Sequence, residues 1–532
     1  MEAELLLAVK ILLSLVLSGF VALAVSLCDA LLLKPNRVRS KLQSQGINGP
    51  SPCFYFGNIP EMKKIKQQIW LKATTTAKDH DHGHHLGKGG ALSHDWFTNV
   101  FPHIEQWQKE YGKIFTYSLG NIQILCITDP EMVKEVTLHT SLSLGKPSYL
   151  SKDRGPLLGN SIVSSNGTYW AHQRKIIAPE FYLDKVKDMV SLMAGSTATM
   201  LESWERKVGN KEGCVEIRVD RDLRSLSADI IARACFGCNY LQGEKAFLKL
   251  EDLQKIVSNG NIGVPGLRYM PTKPNREAWQ LEKQIHSMIL SMVRARSQAT
   301  SERNLLKSLQ EAAKRYEDNG DLPSNVSCEK FIVDNCKNIY LAGYDTTATS
   351  VSWCLVLLAS HPDWQARTRT EVHDICGDNL PDANMLRSMK TLTMVIQETL
   401  RLYPPIADMV RETMQDVSLN GIQIPKGVNL QISRPTLHRD PDLWGPDAHQ
   451  FNPKRFSDGL KGACTSPHVY MPFGAGTRVC AGQHFAMAEL KVILSQIVSR
   501  FSFTLSPSYR HSPAFRLVIK PEHGVHLHIR KL

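Results

Sequence analysis

The chain has 532 residues, 42% of them hydrophobic and 21% charged, which is apolar material enough for a large core; length alone predicts two to four domains. A net charge of +12 would suit a nucleic-acid binder, but no nucleic-acid motif or basic–aromatic stripe accompanies it, and basic surface beside an anionic membrane accounts for it. Twelve cysteines without framework spacing exclude a disulfide scaffold.

Residues 11–28 carry no charge, and the apolar run continues past Asp29 through Leu31, Leu32 and Leu33. That is the length a bilayer-spanning helix needs. A cleaved signal peptide would start basic and have a shorter apolar core, whereas Glu2 and Glu4 stand here. Lys34, Arg37, Arg39 and Lys41 follow closely, which keeps the C-terminal side cytosolic. The expectation is a retained signal-anchor over 1–33 and a basic, Pro-rich linker over 34–57, stiffened by Gly49-Pro50-Ser51-Pro52.

Residues 79–94 hold His80, His82, His84, His85 and His94. Their glycine-rich surroundings offer no rigid scaffold and no His pair at helical spacing, so a mobile surface insertion is expected rather than a zinc site. Cys235 and Cys238 form a C-x-x-C at the end of an apolar helical run and read as an ordinary helix end. Asn166-Gly167-Thr168 and Asn325-Val326-Ser327 are glycosylation sequons that a cytosolic domain would not expose to the transferase.

Periodic apolar residues predict a long helix from Cys328 to Leu358. Within it Ala342-Gly343 removes side-chain bulk, and Asp345-Thr346 adds an acid and a hydroxyl beside the gap. Such a pair can relay protons through ordered water; back-bonding of Thr346 to the preceding turn is the alternative. Glu398 and Arg401 share a helix face at i and i+3, where they can pair, and Arg455 can complete a triad. Trp170 and Arg174 share a face at i and i+4. Near the C-terminus, Phe473 to Gly482 reads F-x-x-G-x-R-x-C-x-G. Cys480 lies just ahead of an apolar helix, whose positive end favours thiolate over thiol. Glycines 474, 476 and 482 let the backbone approach a flat cofactor and aim amides at the sulfur.

This last stretch resembles the heme-binding signature of the cytochrome P450 monooxygenases. Four more segments resemble that family in the order it requires: Trp170–Arg174, Ala342–Thr347, Glu398–Arg401 and Phe451–Phe456. The resemblance runs from about residue 50 to the C-terminus and implies a mainly α fold with small β-sheets, the cytochrome P450 fold. It overrides the length expectation, giving one catalytic domain over 58–532 behind a single N-terminal transmembrane helix.

The resemblance further implies a heme whose iron takes Cys480 as axial thiolate, a ligand that favours O–O cleavage. It implies propionate partners in Trp170, Arg174, Arg411 and Arg478, and a shield over the sulfur in Phe473. Asp345 and Thr346 become the catalytic proton relay, and the Glu398–Arg401–Arg455 triad a brace beneath the heme. No strand followed by G-x-G-x-x-G appears, so electrons must come from another protein. The implied donor is the membrane-bound NADPH–cytochrome P450 reductase, at the endoplasmic reticulum.

Residues 331–347, 350–365, 393–405, 437–451 and 499–513 resemble the plant gibberellin-oxidising branch, within a clan acting on isoprenoids and hormones. The implied substrate is a hydrophobic small molecule, a gibberellin-type or kaurenoic-acid-type diterpenoid; a pentacyclic triterpenoid is the alternative. Lys146, Lys152 and Arg154 in the 144–160 loop are candidates to meet a substrate carboxylate, and solvated loop charges are the competing reading. Two other classes stay open: a heme-thiolate isomerase, which would tend to lack the Asp345-Thr346 pair, and a heme-binding sensor or carrier, which would need no reductase.

Overall fold

A computed structural model describes residues 2–532, apart from 79–91, 210–213, 238–239, 259, 261, 298–304, 320–322 and 324–325. The architecture is mainly helical with small sheets. Helix α1 (Glu2–Cys28) continues through a π turn at Asp29–Leu33 into α2 (Lys34–Gln43). The stretch Leu5–Gln43 is apolar and long enough to cross a membrane, and its most apolar window buries nothing against the rest of the chain.

The segment expected as a linker joins the body. Leu42 is fully buried, and Arg39 donates to the carbonyls of Gly49 and Pro50 at 2.8 and 2.6 Å. Thr116 N–H donates to Asn48 O, and the backbone at Gly49 lies so close that a Cβ there would sit 1.8 Å from Thr116 O. Gly49 is therefore required by close approach rather than by freedom to bend.

The next elements that position the site are α3 (Gly167–Ile177), α4 (Val219–Phe236), α5 (Tyr240–Ser258), α6 (Cys328–Ser360), α7 (Lys390–Leu402) and α8 (Gln483–Arg500). Helix α6 is the long helix read from the apolar pattern. Ser327 caps it, its side chain accepting from Lys330 N–H, and the His361-Pro362 step ends it, since the residue before proline disfavours the α region. It is buried on nearly every face along most of its length, as a helix running through the middle of a large core must be. Its hydroxyls are satisfied internally: Ser350 and Ser352 donate to carbonyls one turn back, at 2.9 and 2.8 Å.

The principal sheet contains β1 (Ile114–Leu119), β2 (Ile122–Ile127), β3 (Leu144–Gly145), β4 (Asp408–Thr413) and β5 (Asn429–Ser433). Their order is β1-β2-β5-β4-β3, with only β2 and β5 parallel. The β4–β5 register pairs Asp408 with Ser433 and Arg411 with Leu430. This carries the residues after α7 and the residues after β5 to one place.

Cys235 is buried at the end of α4, which Gly237 closes in the left-handed region at φ 64°. Cys238 and His80, His82, His84 and His85 lie outside the described residues. His94 is buried and bonds the Tyr403 hydroxyl at 2.7 Å. Among the described residues no group of three His, Cys, Asp or Glu gathers as a metal site.

On α8, Glu489 is fully buried with neither carboxylate oxygen hydrogen-bonded. Burial pushes its carboxyl up to about 8, against a smaller opposite pull from Ser227 on α4. The folded chain then keeps a proton that the unfolded chain has lost, so stability falls as pH rises from the ordinary Glu range to about 8 and is level above it. Replacing Glu489 by Gln should abolish that fall, on the order of a few kcal/mol. Thermal melts should show the variant's gain over wild type growing from pH 5 to pH 8; a pH-independent difference would contradict this.

Candidate active site

Cys480 and Thr346 stand on the wall of one cavity of about 400 Å³. The Cys480 side is built by a loop whose turns depend on two glycines: Gly474 at φ +75° and Gly476 at φ +70°. Gly476 also lies against the Thr137 carbonyl, which a Cβ would approach to 2.7 Å. Gly482 has an ordinary φ of −93° and lines the cavity. Cys480 N–H donates to Phe473 O at 2.8 Å, so Phe473 pins the cysteine's backbone while its own side chain meets the cavity.

Cys480 itself is exposed on the cavity wall. The Gly482 amide and the cations Arg174, Arg434 and Lys146 favour the charged form. Desolvation by the enclosing protein outweighs them, and the thiol is pushed up from its ordinary range.

Arg174 donates to Val479 O at 2.7 Å, tying α3 to the residue beside Cys480. Arg478 donates to Ser165 O and Asn166 Oδ1, both at 2.8 Å, and its guanidinium lies 3.8 Å from the Trp170 ring centroid. Asn166 Oδ1 also accepts from Lys146 N–H at 2.6 Å, so this sequon asparagine is a structural link. Arg411 donates to Val410 O and Ala475 O. All of these residues except Ser165, Asn166, Val410 and Ala475 line the cavity.

Two members of this set escape sequence reasoning. Arg434 follows β5 and reaches the cavity because β5 pairs with β4; it donates to Ile406 O at 2.7 Å, while its Nε is buried without a partner. Lys146, a candidate for a substrate carboxylate, lines this cavity within the same cationic group. Burial and the neighbouring Arg411, Arg478 and Arg434 hold its pKa well below the ordinary lysine value. No local motif marks either residue.

The wall thus carries five basic side chains (Lys146, Arg174, Arg411, Arg434, Arg478) against one carboxylate, Asp408. Burial lowers Arg411 and Arg434 to about 10 and Arg478 to about 9. Such a surplus, with an orphaned Arg434 Nε, fits a ligand bearing two carboxylates, and a thiol on the same wall fits a metal at its centre. The donor set therefore suits heme.

On the opposite side, Ala342, Gly343, Thr346 and Thr347 of α6 face the cavity. A Cβ at Gly343 would lie 2.6 Å from Ile231 of α4, so the missing side chain serves helix packing as well as open space. Thr346 Oγ1 donates to Ala342 O at 2.6 Å, which leaves its lone pairs to accept. Asp345 is not on the cavity wall. Successive helical residues point about 100° apart, and its carboxylate turns to α5, accepting from Gln254 Nε2 at 2.7 Å with Lys520 Nζ at 3.8 Å.

Beneath the loop, Arg401 meets Glu398 through two 2.7 Å bonds. It also donates to the carbonyls of His438, Ala448 and Gln450. Arg455 Nε stands 3.7 Å from Glu398. Replacing Arg401 by Met would strand a buried carboxylate and should destabilise the fold by about 3–5 kcal/mol. A Glu398→Gln/Arg401→Met double variant should recover part of this in urea unfolding; equal or greater loss would show that the carbonyl contacts, not the ion pair, dominate.

Comparison with known proteins agrees with this geometry. Residues 86–528 match the family model described as Cytochrome P450. The chain is 49% identical to Cytochrome P450 714C2 of Oryza sativa subsp. japonica over 506 residues, 94% of each chain. It is 46% identical to Cytochrome P450 714B3 of Zea mays over 534 residues, covering 100% of this chain and 98% of that one. Against Cytochrome P450 714A2 of Arabidopsis thaliana it is 44% identical over 500 residues, 92% of each.

Proposed function

The chain belongs to the cytochrome P450 family of monooxygenases, and from that premise we propose that it oxidises a polycyclic diterpenoid acid of gibberellin or kaurenoic-acid type. The observation that carries the reaction is the meeting of Cys480, the five cations and Thr346 around one cavity. The substrate class rests on the segments that resemble the gibberellin-oxidising branch, and the apolar walls at Ile162, Val163, Ile231, Ile339 and Met409 are in keeping with a hydrocarbon skeleton.

When bound through Cys480, heme supplies the activation of dioxygen, with thiolate donation favouring O–O cleavage. The chain's own residues do the rest. Trp170, Arg174, Arg411 and Arg478, joined by Arg434 and Lys146, neutralise and orient the propionates. Phe473 holds the cysteine backbone and screens the sulfur. Thr346 accepts from a water on the cavity side and fixes where a proton is delivered. Asp345 relays that proton: its carboxylate takes one up from solvent and, by rotating out of its contacts with Gln254 and Lys520, passes it to the water and returns to the carboxylate form.

Residues 1–33 anchor the chain in the endoplasmic reticulum membrane as a single span, residues 34–57 connect it, and 58–532 form the cytosolic catalytic domain. Electrons arrive from NADPH–cytochrome P450 reductase docked on the Cys480 side. The basic residues that follow the span support this orientation.

Microsomes holding the full chain and reductase, fed a panel of diterpenoid and triterpenoid acids with NADPH, should yield a product one oxygen heavier from a diterpenoid acid. Cys480→Ser should lose that product and the red-shifted band of the reduced carbon monoxide complex. A normal band in the Ser variant would remove Cys480 as the ligand, and turnover confined to triterpenoids would overturn the substrate class.

The proton relay has its own signatures. Thr346→Ala should keep NADPH consumption while hydrogen peroxide replaces product; Asp345→Asn should slow both. Loss of one proton-transfer group typically lowers rate by about 10²–10⁴-fold. Wild-type coupling in Thr346→Ala, measured as product per NADPH, would exclude that residue from the relay.

A further inference from the structure

A second and larger cavity, about 840 Å³, lies outside the site just described, between the 151–160 segment, the end of α5 and the helix Lys273–Ser297. Its walls mix apolar side chains (Ile256, Val257, Leu267, Trp279) with four basic ones (Lys152, Arg154, Arg268, Lys330) and three acidic ones (Asp153, Glu277, Glu282), of which Asp153 is paired with Arg268. Ile162 and Val163 of the same stretch face the inner cavity, so one loop forms part of the wall of both.

Arg154 is the anomaly in this wall. Its Nε is shut away from solvent with no acceptor, and among the described residues its guanidinium makes no ion pair. The adjacent carboxylate, Asp153, is already engaged: it takes Arg268 Nη1 at 2.9 Å and the Gly263 amide at 2.8 Å. Burial lowers the Arg154 pKa from its ordinary value, although a guanidinium stays charged at any physiological pH. Tyr149 and Asp153 pull the other way and the residue is only half-buried, so what stays uncompensated is the shielded Nε, which an arriving anion would satisfy.

The loop presenting Arg154 is rigidly held. Asp334 Oδ2 accepts from Asn160 N–H at 2.9 Å, and Asn335 Oδ1 from Ile162 N–H at 3.1 Å. Lys337 Nζ donates to Pro156 O at 3.1 Å and Asn338 Nδ2 to Leu158 O at 2.8 Å. Gly159, at φ +53°, sits so tightly on Asp334 that a Cβ would lie 2.2 Å from its carboxyl. Four polar side chains of α6, Asp334, Asn335, Lys337 and Asn338, thus fix the loop, and little ordering remains for a ligand to supply.

We propose that the outer cavity is a capture site for an amphipathic carboxylic acid, whose carboxylate pairs with Arg154 while its apolar rings lie on Ile256, Val257, Leu267 and Trp279. This rests on the acid-substrate reading above and adds where the acid group is recognised before the skeleton reaches Cys480. Arg154 is a specificity residue for charge and touches neither heme nor the reacting carbon.

The test compares Arg154→Gln and Arg154→Lys with wild type, using full-length protein with its heme. Probes are a tetracyclic diterpenoid acid, a pentacyclic triterpenoid acid, and the methyl ester of each, read by the optical spin-state shift on binding and by turnover. From the rate at which the spin-state shift develops and from kcat/KM, wild type should take up the accepted acid about 10–100-fold faster than its ester, the range of a charge-assisted bidentate contact. Arg154→Gln should erase that preference with kcat within about twofold, and Arg154→Lys should restore part of it. With no ligand present, Arg154→Gln should melt at the same or a higher temperature, because the unpaired charge is gone; a structural arginine would give the opposite. An equal effect of the substitution on acid and ester, or no preference for acid over ester with either skeleton in wild type, overturns the proposal. Acid preference dependent on Arg154 but seen only with the triterpenoid pair overturns the diterpenoid reading and upholds the capture site.

Discussion

All five N–H donors of Arg401 are used inside the core: two on Glu398 and three on the carbonyls of His438, Ala448 and Gln450. Both charged side chains are fully buried, so their desolvation is offset only while every partner stays in place. Asn452 N–H adds a bond to Glu398, and Arg455 ties Asp447 and Trp444 O into the same network. A helix in the middle of the fold is thereby fastened to the irregular chain that runs on toward Cys480. Without it, that segment would have few regular backbone bonds to hold its course.

Upon this brace the cavity is assembled from parts distant in sequence. Helix α3 brings Trp170 and Arg174, strand β4 brings Asp408 and Arg411, and the turn after β5 brings Arg434. The result is a concentration of positive charge that the chain does not neutralise by itself. Burial lowers the pKa values of Lys146, Arg411, Arg434 and Arg478, and for all but Arg411 the neighbouring cations add to that shift. A dianionic cofactor relieves it, which couples heme binding to the stability of the site. The same argument applies on a smaller scale at Arg154, where one guanidinium waits in a rigid wall.

The oxygen side follows a different rule. Thr346 and Asp345 are neighbours in sequence, yet α6 aims one into the cavity and the other at Gln254 and Lys520. Proximity in sequence supplied the pair, and helical geometry separated their directions. Gly343 has a double duty of the same kind, since Ile231 occupies the space its side chain would need.

Much was legible from residues alone wherever the physics is local. The apolar run of α1, the long helix α6, the i and i+3 pairing of Glu398 with Arg401, and the F-x-x-G-x-R-x-C-x-G loop each depend on short-range spacing. What spacing cannot carry is the burial and charge that distant segments impose on one another. Arg434 and Lys146 enter the cavity only through the β4–β5 pairing and the Asn166 link, while α6 turns Asp345 away from it to Gln254 of α5. Cys480 opens on the cavity among cations that favour its thiolate while the enclosing protein favours the thiol, a balance that only tertiary structure sets. Sequence determined which chemical groups this protein possesses and their local pairing. Tertiary structure decided which of them share one low-dielectric space, and therefore which are charged, which are paired and which are left for a ligand.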